Sequence, residues 1–173
     1  MANQWYIQEP VRYRHEVNAV YEKLGRLNPK EVVLPDGRHG FIMDFKVPDP
    51  EGILLGADGA HYQNYRVLMA WNNDHPHSAS SSFGGSVRTY FQSPTAEDIV
   101  KAYRAHGRQY VPHLMGDRHP VTGASIWIPC TQKLGQENDG FTMVTAAALV
   151  MNWLSAMTAG KYRDSAYRAF CEE

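Results

Sequence analysis

The sequence predicts an α+β fold, and three observations carry that prediction. Apolar residues recur at helical spacing near the start of the chain, and three segments in its middle alternate apolar and polar residues. A further helically spaced apolar run follows Thr142. The 173 residues, 43% of them apolar, 12% aromatic and 20% charged, have the length and composition of one globular domain spanning 1–173.

Tyr13, Val17, Val20, Leu24 and Leu27 fall on one stripe of a helix expected from about Val11, after Pro10, to Gly25 or Leu27. Phe41, Met43, Phe45 and Val47 alternate with Ile42, Asp44 and Lys46, the period of a half-buried strand that Pro48, Asp49, Pro50 and Gly52 then stop. Tyr65 to Trp71 and Val87 to Gln92 show the same alternation. Loops without helices join the three strands, so they are expected to form an antiparallel meander sheet.

Thr95 and Asp98 make a capping pattern ahead of Ile99, Val100 and Tyr103, which places a helix from there to about Gly107. Val111 to Thr122, interrupted by Pro112, Gly116 and Pro120, reads as irregular, and Ile126 to Cys130 as a short extended piece limited by Pro129. Thr142 caps a helix with apolar positions Val144, Ala147, Ala148, Met151, Leu154 and Met157, closed by Gly160. Asp164 to Phe170 suggests one more. The fold therefore starts with a helix, continues as a meander and ends in helices.

Charge and cysteine content narrow the function. Seventeen Lys+Arg against eighteen Asp+Glu give a net charge of −1, with no basic excess to neutralise a phosphate backbone, so no nucleic-acid partner is expected. Met1 to Pro10 has no signal-peptide pattern, and Phe141 to Gly160 is too often interrupted by polar residues to span a bilayer, so no membrane association is expected. Two cysteines, Cys130 and Cys171, are too few for a disulfide framework and point to a reducing, cytoplasmic setting.

Cys130 is the foremost chemical candidate. An unpaired cysteine is commonly a buried small hydrophobe, yet this one adjoins the polar stretch Thr131 to Asp139, where an exposed thiolate would accept acyl groups. Residues alone leave both readings open. Cys171, near the end of the sequence, receives no role.

The order of elements around Cys130 resembles the ubiquitin-conjugating-enzyme fold: a first helix, a meander, a His-Pro turn, one cysteine, a loop and a helix. Val47-Pro48-Asp49-Pro50 looks like the turn after that family's first strand, and Tyr65 to Trp71 with His75-Pro76 like its second strand and the segment beyond. Ser86 to Phe91 looks like its third strand, His119-Pro120 like its His-Pro turn, and Phe141 to Met157 like the helix behind the cysteine. The resemblance covers about Val11 to Met157 and suggests a divergent, bacterial-type member with an inserted helical segment near 95–110.

The resemblance implies that Cys130 carries a ubiquitin-like modifier as a thioester and passes it to an acceptor. Its partners would be that modifier, an adenylating activating enzyme and a target protein, and no cofactor is required. Activating enzymes of the family dock on the first helix, which makes Arg12, Arg14 and His15, with Glu16, Glu22 and Lys23, candidate contacts; a solvated helix face is the plainer reading. Val121 stands where the family has an oxyanion-stabilising Asn. Asn138, Asn73, His113 and His119 are the candidates to replace it.

Two alternatives stand beside the transferase. One is a non-catalytic module of the same fold that binds a ubiquitin-like protein with its cysteine retired. The other is a cysteine hydrolase with His113 or His119 as base, disfavoured because Cys130 follows an extended segment rather than opening a helix. His75, His77, His119 and Cys130 would make a zinc site only by converging in space, and no metal is assigned. The glycines at 52, 56, 59, 84 and 85 precede strands and match no phosphate loop.

Overall fold

A computed structural model describes residues 4–76, 85–106, 111, 113–131 and 141–159. It is an α+β structure with helices at the start, a four-stranded antiparallel sheet in the middle and a long helix, α4 (Met143–Thr158), after it. None of its helices is long and apolar enough to cross a membrane, among the described residues.

The expected first helix is present as α2 (Pro10–Leu24), extended by a 3₁₀ turn over Gly25–Leu27 that Asn28 ends in a left-handed conformation. A short helix, α1 (Trp5–Gln8), precedes it and inserts Trp5 into the core at 2% exposure. Val20, Leu24 and Leu27 of the predicted stripe are buried, with Tyr13 and Val17 packed against them.

The sheet order is β1 (Lys30–Val33), β2 (His39–Lys46), β3 (Asn64–Trp71), β4 (Val87–Ser93), each antiparallel to the next. The three predicted strands are β2, β3 and β4. β1 is an addition: Lys-Glu-Val-Val is too short and too charged to show alternation, and pairing with His39 to Ile42 makes it a strand. Phe41, Met43, Phe45, Tyr65, Val67, Met69 and Trp71 line one face at 0 to 1% exposure, beneath α2 and α4.

The opposite face is also covered, where alternation predicts solvent. Leu68, Ala70 and Tyr90 are buried there with Leu34 and Ile128. Their cover is a hairpin of β5 (Leu114–Arg118) and β6 (Ser125–Pro129), in a stretch whose first half reads as irregular from sequence. Gly116 and Pro120 do not break it, because Gly116 is an edge residue of β5 and Pro120 lies in the turn. Tyr90 ties the hairpin down, accepting from Arg38 Nη1 at 2.9 Å and donating to Asp117 at 3.2 Å. Burial pushes its phenol up to about 12.

Helix α3 (Ala96–Ala105) begins with Thr95 and Asp98 in a full capping box, as the sequence predicts. Helix α4 (Met143–Thr158) begins at Thr142, whose hydroxyl accepts from the Thr145 N–H. Its buried stripe is Met143, Ala146, Ala147, Val150, Trp153, Leu154 and Met157, whereas Val144 and Met151 are half-buried and Ala148 is exposed. The helix is therefore rotated by about one residue from the predicted face, because its nearly continuous apolar run leaves orientation to packing. The helix suggested at 164–170 lies outside the described residues.

Candidate functional site

Cys130 sits at the open end of the β5–β6 hairpin, directly after Pro129. Its backbone N–H donates to the His113 carbonyl at 2.6 Å, extending the ladder by one residue pair. The side chain is buried at 2% exposure, the first of the two readings that the residues alone leave open. Its neighbour Thr131 is drawn inward as well, donating from Oγ1 to the Val87 carbonyl at 2.7 Å and anchoring this end to β4.

Cys130 is disulfide-bonded, and there is no free thiol among the described residues. The only other cysteine in the sequence, Cys171, lies outside them. A reducing compartment does not favour such a bond, so the expectation of a reducing setting loses its support.

Among the described residues, His113 is the one predicted partner that lies beside Cys130. It is 3% exposed and holds a left-handed φ of 63°, a conformation that costs energy for a residue with a Cβ. Burial depresses its imidazole pKa to about 4, so it is neutral at ordinary pH.

His119 occupies the opposite end of the hairpin. Its ring Nδ1 accepts from the N–H groups of Val121 and Thr122 at 3.1 and 3.2 Å, and its own N–H donates to Ala124. Ala124, opposite His119, is six residue steps from Cys130, which at ~3.3 Å per residue is about 20 Å. His119 is thus a turn-forming residue, and Val121 is exposed at the same tip. Asn138 and His77 lie outside the described residues. Among the described residues no group of three or more His, Cys, Asp or Glu side chains is placed to hold a metal.

The α2 contacts divide. Arg14, His15, Glu22 and Lys23 are exposed. Arg12 is not: its guanidinium turns back to Glu16 at 3.4 Å and to the Phe141 carbonyl at 3.4 Å. Glu16, expected on the solvated face, is 5% exposed. Spacing carried the signal, since Glu16 is four residues before Val20 and eight before Leu24, on the buried stripe.

Glu16 organises a buried polar cluster. Its Oε2 meets His75 Nε2 at 2.6 Å, and its Oε1 accepts from Trp71 Nε1 at 3.0 Å and from the Met143 N–H at 3.2 Å. Ser86 Oγ pairs with His75 Nδ1 at 2.7 Å. Burial pushes the Glu16 carboxyl up, but these hydrogen bonds and the His75 charge outweigh it and hold the pKa below the ordinary carboxylate range. The Ser-His-Glu connectivity resembles a hydrolase relay, yet Ser86 and His75 are at 0 and 1% exposure, so no substrate reaches the hydroxyl. The cluster joins α2, β3, β4 and the first turn of α4.

One large aromatic side chain of the hairpin is exposed. Trp127 of β6 is 49% accessible, opposite Gly116 of β5. Alternation contains that signal, because Ile126 and Ile128 pack inward on the sheet and Trp127 between them must face away.

No protein-family model, curated protein or solved structure matches the chain.

Proposed function

We propose that this protein is a non-catalytic module that binds a ubiquitin-like protein, built on an architecture resembling ubiquitin-conjugating enzymes with its cysteine turned to structural use. The observation that carries this reading is the state of Cys130, which is 2% exposed and disulfide-bonded. Acyl transfer needs an accessible thiolate to attack the incoming thioester carbonyl and expel the donor thiolate, and a buried disulfide sulfur offers neither access nor charge. The helix-first α+β order, with an antiparallel meander beneath α2, supports the architectural half of the proposal. Arg14 and His15 remain as exposed α2 contacts for a protein partner.

The transferase reading stands second, and His113 favours it. A strained left-handed residue beside the cysteine is the kind of feature that reacting sites retain. Reduction of the disulfide would be its first requirement.

One experiment separates the two. The purified protein, with and without dithiothreitol, is mixed with ATP and with the ubiquitin-like modifier and adenylating enzyme encoded nearest to it. Calorimetric binding of the modifier with no thiol-sensitive adduct on a non-reducing gel is expected. An adduct that appears only after reduction and disappears in Cys130→Ala establishes the transferase instead. Absence of both adduct and binding overturns both readings.

A further inference from the structure

The β5–β6 hairpin is packed along one face, and on the other face Leu114, at the open end, reaches the first core cluster. Met115, Ile126 and Ile128 pack against the second core cluster, and Asp117 is held by Tyr90. The other face carries Leu114, Gly116, Arg118, Ser125 and Trp127, as alternation requires. A groove of about 440 Å³ runs along the hairpin, lined by residues 116–118 and 125–127.

The ladder determines which main-chain groups remain available. Cys130 donates to the His113 carbonyl and His119 to the Ala124 carbonyl, so the bonded pairs are the odd-numbered residues of β5. Leu114, Gly116 and Arg118 therefore aim their N–H and C=O groups away from β6. The two edges are treated differently. On β6, the Trp127 N–H is taken by Glu97 of α3 at 3.0 Å and Pro129 has no N–H to offer. On β5, Asp117 takes the Arg118 N–H at 2.7 Å, but no hydrogen bond among the described residues reaches the outward groups of Leu114 or Gly116. Gly116 is exposed, and a Cβ built on it would meet no atom within 4 Å.

The geometry points to β5 as a strand-addition site for an extended peptide of a partner protein, one with an apolar side chain two positions from an acidic one. Main-chain pairing with Gly116 supplies the register. The residue opposite Gly116 projects onto the face of Trp127, where the missing glycine side chain leaves room for an aromatic or aliphatic group to reach the indole. Two positions along, the same face meets the Arg118 guanidinium, which selects a carboxylate. This inference stands apart from the ubiquitin-like reading and needs neither Cys130 nor α2.

The probe is a fluorescein-labelled ten-residue peptide that alternates threonine with phenylalanine and glutamate, so that both reach one face. With the full chain, saturable anisotropy is expected, along with slowed amide exchange at Leu114 and Gly116. Gly116→Pro removes only the outward N–H and no ladder bond, and should weaken binding at least about tenfold. Trp127→Ala should do the same. Arg118→Glu should reverse the preference toward a peptide carrying lysine for glutamate. Circular dichroism establishes that each variant folds. Unsaturable binding, exchange protection elsewhere in the chain, or equal affinity in folded Gly116→Pro overturns the proposal. So does a concentration-dependent dimer that protects the same amides, since a second copy would then be the occupant.

Discussion

Glu16 of α2 and His75, just past the end of β3, meet at 2.6 Å in the interior, and the contact joins the helical layer to the sheet across 59 residues of sequence. Because Trp71, Met143 and Arg12 converge on the same carboxylate, its removal orphans several buried polar groups at once. Glu16→Ala is expected to destabilise the protein by about 3–5 kcal/mol, because each buried donor left without its acceptor costs about 1–3 kcal/mol. Glu16→Gln, which keeps an acceptor, should cost less. Urea denaturation at neutral pH measures both.

His113 gives the acid limb of the stability profile. The unfolded imidazole protonates near pH 6.5, whereas the folded one stays neutral to about pH 4. Between those values the unfolded chain binds the extra proton, so stability present above pH 6.5 is lost as pH falls toward 4. The depressed Glu16 carboxyl works in the same direction below the ordinary carboxylate range. His113→Asn, which tolerates the left-handed backbone, should flatten the decline between pH 6.5 and 4. Thermal melts across that range would show it.

The sulfur chemistry is open to direct titration. The native protein should present no thiol to a chromogenic disulfide reagent, consistent with a bonded Cys130. After reduction, the Cys130 thiol should react slowly until denaturant is added, because Cys130 is 2% exposed. Loss of the bond should cost about 2–4 kcal/mol. A fast native reaction would contradict the burial of Cys130.

Gly40 lies in β2 opposite Ala70, and a Cβ there would run into the Met69 carbonyl and the Ala70 Cα. Backbone atoms in the middle of a sheet have no room to retreat. Gly40→Ala is expected to cost more than about 3 kcal/mol and to lower soluble yield. By contrast, Gly116→Ala on the exposed edge, with open space at its Cβ, should be close to neutral. Paired denaturation curves test the contrast.

Local periodicity and capping chemistry made much of this fold readable from the sequence. The stripe ending at Val20, Leu24 and Leu27, the alternation of Phe41 to Val47 and the Thr95–Asp98 capping box depend on residues a few positions apart. Their physics is complete within a turn or a strand. β1 and β5 were not readable in this way, because each is made a strand by a partner: β1 by His39 to Ile42, β5 by Ser125 to Pro129.

The candidate site divides along the same line. The sequence by itself determined that Cys130 follows an extended segment, that Pro129 blunts that segment, and that a helix begins at Thr95. Only tertiary structure decided that Cys130 is buried and bonded, that His113 adjoins it while His119 shapes a distant turn, and that Glu16 faces inward beneath Trp71. The reason is physical. Burial, pKa and bonding state depend on which distant segments pack against a side chain, and one covered sheet face sent Trp127 outward and Cys130 inward on the same short hairpin.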